Sequence, residues 1–457
     1  MKEDTEKRKF VKKVKRKIPW IEHMIENYED ALDLNILDRE VSVRSRNINL
    51  CIYCRGGRNL CGKPLCPIML KLNSYLKVRD NIRRENLEGS SPPAVFVGRY
   101  GYPNVQVGPL IPPIMGDTEV YDHPERWIDM SVEEIIDIRL QLIRGRFPVN
   151  VKKTDYSNKN LEATREMALS SKPVDAEVEF TKPPGGRILL DDEVQPMGPS
   201  APINKILVSS VKANPIIERV YYDYDLKASE ALMKLFTNSI PVSSMQRVLS
   251  VGALGVGIER RMVPTRWSIT AVDSTISRRL RDEVVKRNPL INEYRVYESD
   301  LLGNRFIAIM IPEKWQYEFI EVWYPGTAWN QDQSMIAIGG DYEPYWGRTT
   351  YAEIGGCYYA ARLATTEHLE RERRQAATLI VREAYPEYIL PLGVWVVREG
   401  VRKAYRNKPL KFDTLEEALN YASSRLKVKS TYWMGESKLL REIIKQKRIT
   451  DYITRTP

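Results

Sequence analysis

Four cysteines fall within sixteen residues, Cys51, Cys54, Cys61 and Cys66 in CIYCRGGRNLCGKPLC, and no other feature of the sequence constrains folding so tightly. Thiols this dense are either oxidised or shared by a metal. Only one further cysteine, Cys357, occurs in 457 residues, so the chain is no disulfide framework, and no apolar run after Met1 reads as a secretion signal or a membrane span. The expected setting is a reducing cytoplasm, with no membrane partner.

CxxC lets two thiolates reach one ion from a tight turn, and Arg55-Gly56-Gly57-Arg58 is pliant backbone that brings the second pair round. The set suits tetrahedral zinc, about 2.3 Å from each sulfur. Four thiolates close the shell and leave no position for substrate, so the expected zinc is structural. In finger peptides such binding contributes on the order of 10 to 16 kcal/mol, enough to order a segment with little core of its own. An iron–sulfur cluster or a pair of disulfides are the alternative fates of the same sulfurs.

The surroundings are basic. Arg44, Arg46, Arg55, Arg58, Lys63 and Lys71 lie in or beside the cluster, and the first twenty residues hold nine Lys/Arg against three Asp/Glu in a chain of formal charge +10. Charge concentrated in this way suits contact with a phosphate backbone, where neutralised phosphates release counterions. Arg44, Arg46, Arg55, Arg58 and Lys63 are therefore the candidate nucleic-acid contacts. A basic arm that only keeps the protein soluble is the plainer alternative.

At the other end, GESKLLREIIKQKR (435 to 448) reads as a basic helix with Leu439, Leu440, Ile443 and Ile444 on one side. It overlaps QKRITDYITRTP, where Gln446, Ile449 and Tyr452 have the spacing of a box that binds the DNA sliding clamp (PCNA). Ile449 and Tyr452 would share one side of a short helical turn and enter an apolar pocket while Gln446 bonds at its rim. Ile453 stands where a second aromatic is expected, which weakens the anchor.

The body between, at 43% hydrophobic, is long enough for two or three domains. Helices are predicted over 20–36, 68–87, 131–145, 226–238, 275–287 and, as one long element, 350–384. Strands are predicted within 94–111, at 204–212, around 248, at 268–272, 305–311 and 316–324, with a Pro/Gly-rich loop over 182–203. The fold class is α+β or mixed α/β, divided as 1–89 (arm, helix and cysteine region), 90–200, 201–434 and 435–457.

Chemistry in that body is sparse. His23, His123 and His368 are far apart in sequence, and Gly252, Gly255 and Gly257 in VLSVGALGVG match no phosphate-loop spacing. Arg260, Arg261, Arg266, Arg278 and Arg279 flank a predicted strand ending in Asp273. Such a set could hold a phosphate with Asp273 as base or metal ligand, which makes Asp273, Arg261 and Arg266 the catalytic candidates; arginine–aspartate pairing at a domain seam explains it as well. Tyr100, Tyr102, Trp323 and Trp329 are candidate stacking platforms for bases, with buried tight turns as the plainer reading.

Taken together, the CxxC pair with its GG loop, SPPAVFVGRYGYPNVQVGPL, RMVPTRWSITAVDSTIS, EVWYPGTAW and the clamp-binding tail resemble the archaeal Nre DNA-repair family over essentially the whole chain. The resemblance implies a cytoplasmic protein of the DNA-damage response, nucleoid-associated when on DNA. It implies zinc at Cys51, Cys54, Cys61 and Cys66 and clamp contact at Gln446, Ile449, Tyr452 and Ile453. It attaches no catalytic activity to named residues. The expectation is an accessory factor that docks on the clamp and contacts DNA, with other repair proteins as further partners. The alternative is a nucleic-acid- or nucleotide-processing enzyme with its site near Asp273.

Overall fold

The structure, a computed structural model, describes residues 23–25, 66–79, 83–152, 158–185, 197–209, 211–327, 330 and 335–445. Cys51, Cys54 and Cys61, the cations Arg44, Arg46, Arg55, Arg58 and Lys63, and the clamp box Gln446, Ile449, Tyr452 and Ile453 lie outside these residues. Among the described residues the chain forms twelve helices and two mixed sheets. They fall into two compact units, one of residues 51–279 and 390–395, the other of 1–50, 280–389 and 396–457. The mixed α and β class is as expected.

Strand β1 (His23–Ile25) pairs antiparallel with residues 336–338 of the second unit. At these residues the helix expected over 20–36 is replaced by a strand, because ladder hydrogen bonds to a neighbouring strand override local helical patterning.

The first unit opens with α1 (Pro67–Val78), which has Pro67 in its first turn, where a missing N–H costs little. It is shorter than the helix expected to 87, since β2 (Asn86–Ser91) already joins a sheet. Then come β3 (Val95–Val97), β4 (Asn104–Ile111), α2 (Val132–Gln141), β5 (Ile143–Asn150), α3 (Lys159–Leu169), β6 (Val174–Phe180) and β7 (Ser200–Val208). The sheet order is β2-β6-β7-β5-β4-β3, antiparallel except where β5 meets β7. β6 alternates buried and exposed residues along VDAEVEF, the period of a strand with one face on a core. Ser131 and Glu134 form a reciprocal cap at the start of α2.

Helices α4 (Pro215–Tyr222), α5 (Ala228–Thr237), α6 (Val242–Ser250) and α7 (Thr265–Glu283) follow. Two of them correct the strands expected around 248 and at 268–272. The run from Thr265 is dense in β-branched residues, which favours strand locally, yet Ser268, Val272, Ile276 and Leu280 recur every four residues and all are buried. That stripe can be buried only as a helix, and packing decides the outcome.

The second unit is built on β8 (Tyr294–Leu301), β9 (Asn304–Ile311), β10 (Gln316–Trp323), β11 (Ile336–Glu343), α8 (Gly356–Glu372), β12 (Ala377–Ala384), α9 (Trp395–Arg406), β13 (Leu410–Phe412), α10 (Leu415–Arg425), α11 (Ser430–Glu436) and α12 (Lys438–Lys445). Its sheet runs β1-β11-β10-β12-β9-β8-β13, with β10 and β12 parallel. Every residue of β12 is buried, Arg382 and Glu383 included.

The single long helix expected over 350–384 is thus two elements. Arg373 takes a left-handed conformation (φ 52°) that closes α8 through its N–H to the Glu370 carbonyl, and ATLIVREA then enters the sheet. Helical periodicity and a continuous apolar run abut there without a Gly or Pro between them. The core on one side of this sheet joins Ile307, Ile320, Val322 and Leu379 to Trp433, Leu439 and Leu440 of the last two helices.

Candidate functional site

The predicted basic helix at 435–448 is a pair, α11 and α12, broken at Ser437. Ser437 caps α12, its hydroxyl oxygen accepting from Leu440 N at 3.0 Å. The break is held by Glu318 in the middle of β10. Its buried carboxylate accepts from the Ser437 hydroxyl, from Lys438 N at 2.8 Å and from Leu439 N at 3.1 Å. An acid here meets the free N–H groups and the positive end of a helix, which is why one is tolerated in an apolar strand. Burial still dominates and pushes the carboxyl up to about 7 against these donors.

Leu439 and Leu440 are buried below α12, and Tyr342 on β11 lies 2.6 Å from Glu442 on the helix. Ile444, expected on the same apolar side as Leu439, is instead 68% exposed. With Met434, Leu440, Arg441 and Lys445 it borders an apolar hollow of about 220 Å³. The residues that follow are those of the predicted clamp box, so α12 is a pinned base immediately before that peptide.

In the first unit, Asp273 lies inside α7 rather than at the end of a strand. It is fully buried, accepting from Gln246 Nε2 of α6 at 3.1 Å. Arg261 and Arg266 are exposed, and Arg261 donates to the carbonyls of Ile258 and Arg260. The acid is thus buried within a helix pair while the two arginines are exposed. Gly252 and Gly255 follow the C-terminal end of α6 and Gly257 opens only a three-residue 3-10 turn, not the N-terminal end of an α-helix where backbone N–H groups cradle phosphate. Gly252, at φ 75°, lies where an added Cβ would come within 3.0 Å of the Arg261 backbone.

A polar cleft of about 90 Å³ in the same unit gathers Glu119, Asp122, His123, Ser243 and Arg247. Small-molecule sites run to about 300–1,000 Å³, so it is too small for a nucleotide. His123 Nδ1 is 3.1 Å from Glu119 Oε1, while Glu125 accepts from Ser243 N at 2.9 Å and Ser243 Oγ at 2.8 Å. Glu125 Oε2 also lies 3.7 Å from His123 Nε2, which puts the carboxylate between serine and imidazole. An activated nucleophile needs the base next to the hydroxyl, and this order is the reverse. Burial raises the Asp122 carboxyl although Arg139 and Arg247 pull it down, and burial lowers Arg247. Arg247 donates to the Ala168 and Ser170 carbonyls, tying α3 to α6.

Of the expected metal ligands only Cys66 is described. It is the N-cap of α1, a half-buried free thiol. Among the described residues no group of three or more His, Cys, Asp or Glu side chains could hold a metal ion. Trp323 is buried, its ring packed by Arg382 at 4.6 Å, and so is no platform for bases; Tyr100 and Tyr102 are exposed. Trp329 lies outside the described residues.

Family models for the N-terminal and C-terminal parts of archaeal Nre proteins match residues 60–330 and 343–452. The chain belongs to the archaeal Nre family. Among relatives of this Nre chain, the DNA repair protein NreB of Archaeoglobus fulgidus is 44% identical over 392 residues, 86% of the chain and 97% of the relative. The DNA repair protein NreA of the same organism is 37% identical, covering 83% and 94%, and NreA of Haloferax volcanii is 32% identical, covering 77% and 86%. No solved structure matches. No described helix is long and apolar enough to cross a membrane. Two residues of this Nre chain escaped the sequence reading. Glu318 could have been suspected as an acid inside the apolar run QYEFIEVW, and Trp267 as an aromatic between the candidates Arg266 and Asp273.

Proposed function

We propose that this Nre protein is a cytoplasmic DNA-repair factor that docks on the sliding clamp through Gln446, Ile449, Tyr452 and Ile453 and contacts DNA through a zinc-bearing N-terminal region. The observation that carries the repair role is 44% identity along nearly the full length of a relative named as a DNA repair protein. The pinned α12 supports the docking, because a short peptide following a fixed helix pays less entropy on binding than one following loose chain. Cys51, Cys54, Cys61 and Cys66 would hold the zinc, whose contribution is to order the segment that carries Arg44, Arg46, Arg55, Arg58 and Lys63. Clamp and DNA contacts on one chain raise the local concentration of each for the other. Further repair proteins are partners that such tethering would recruit.

Complementation tests this role. In an archaeal host lacking its own Nre genes, the full chain is expected to restore survival after DNA damage and a chain lacking residues 446–457 to restore less. Full rescue by the shortened chain removes the tail from the account; no rescue by either, with both chains expressed, removes the repair role.

A further inference from the structure

We propose that the first unit carries a second nucleic-acid surface, a platform on which unpaired bases of single-stranded DNA or RNA stack. It goes beyond the reading above, since neither the cysteines nor the tail takes part. Tyr100 is 77% exposed, Tyr102 44% and Trp267 45%. The Tyr102 and Trp267 ring centroids lie 5.2 Å apart with the planes tilted by 53°, so they form one aromatic patch from two separate segments. Cations accompany the rings. The Arg99 guanidinium lies 5.0 Å from the centre of the Tyr100 ring, Lys152 Nζ 5.7 Å from that of Tyr102, and Arg266 is exposed beside Trp267.

The platform is braced before any ligand arrives. Val97 N at the end of β3 donates to Thr265 Oγ1 at the start of α7 at 3.0 Å, and Val151 N donates to the Pro103 carbonyl at 2.9 Å. The first bond ties the end of β3 to the helix that carries Trp267 and the second ties the β3–β4 turn to the residue before Lys152, so little is lost in ordering the rings on binding.

The chemistry selects the occupant. Exposed aromatic faces want flat apolar partners, and the adjoining positive charges want phosphates. Single strands offer both at each nucleotide, whereas duplex bases are already stacked on one another. Tyrosine, tryptophan and arginine also recur at protein interfaces, so binding indifferent to the bases is the outcome that would assign the patch to a protein instead.

Binding of a fluorescein-labelled twelve-nucleotide thymidine strand to the full chain, against an abasic strand with the same phosphates, isolates the bases from the charge. The expected result is tighter binding of the base-bearing strand, an excess that falls roughly 5- to 100-fold when Tyr102→Ala and Trp267→Ala are combined. Tyr102→Phe with Trp267→Phe keeps the rings and is expected to keep most of the excess, which separates stacking from misfolding. No excess in the parent chain overturns the proposal. So does an excess that survives loss of the rings, whatever protein partners the variant loses. Clamp binding, read in parallel, leaves the tail assignment independent of either result.

Discussion

At the scale of single residues, two buried titrating groups make opposite predictions. Glu318 has a carboxyl raised from 4.5 to about 7 in the fold. Below pH 4.5 it is protonated in folded and unfolded chain alike and has no effect on stability. Between about 4.5 and 7 the unfolded chain ionises while the folded one resists, so its contribution falls as pH rises and is flat above 7. Replacing it by Gln is expected to remove that slope from urea-unfolding curves. Replacing it by Ala leaves the N–H groups of Lys438 and Leu439 without their acceptor, which costs about 3 kcal/mol, read as faster hydrogen exchange in α12. His368 behaves in the reverse sense. Burial, with Arg371 and Arg295 adding, lowers it from 6.5 to about 3, and Glu372 at 3.5 Å does not offset this. The folded state holds it neutral, stacked on Tyr405 at 4.4 Å, so its contribution is lost as pH falls from about 6.5 toward 3. His368→Phe keeps the stacking and is expected to flatten the acid limb of stability against pH.

At the scale of elements, close approach of α9 to the sheet sets a sharp test. A Cβ on Gly400 would lie 2.3 Å from the Phe306 ring, and the Gly400 carbonyl accepts from Ser299 Oγ at 2.7 Å. Gly400→Ala gains about 1 kcal/mol of helix propensity and meets overpacking of about 1–3 kcal/mol. The expected outcome is a net loss in a denaturant titration, relieved when Phe306→Leu makes room. Zinc gives an element-scale prediction too. Elemental analysis is expected to find a single zinc per chain, and chelation to expose the Cys51–Cys66 segment to protease while both sheets keep their circular-dichroism signal. Much of the element pattern was readable in the sequence. The strands of RFIAIMI and YEFIEVW and the helix over KASEALMKLFT stand where apolar runs and helical spacing put them. Where the reading failed, as at α7 and at the junction of α8 with β12, a local preference met a tertiary demand, and burial of Val272, Ile276 and ATLIVREA prevailed. The same holds at Asp273, which looks like an exposed acid among arginines until its helix is wound and its side chain turned inward. Glu318 was hidden because its partners, Ser437 to Leu439, are some 120 residues away in sequence.

At the scale of the whole molecule, the proposed function makes one clamp-tethered repair factor of a basic chain of +10, a four-cysteine segment and a peptide that follows a pinned helix. In the proposed docking, Ile453 would make the contact weaker than a box with two aromatics would give, so Ile453→Phe is expected to tighten it. The most direct test is equilibrium binding of purified sliding clamp to the full chain and to the chain with Tyr452→Ala, a position outside the described residues. The account predicts measurable binding by the full chain and at least a roughly tenfold loss in the variant, the scale of removing one buried aromatic anchor. Equal affinity in the two chains, or no affinity in the full chain, would contradict it.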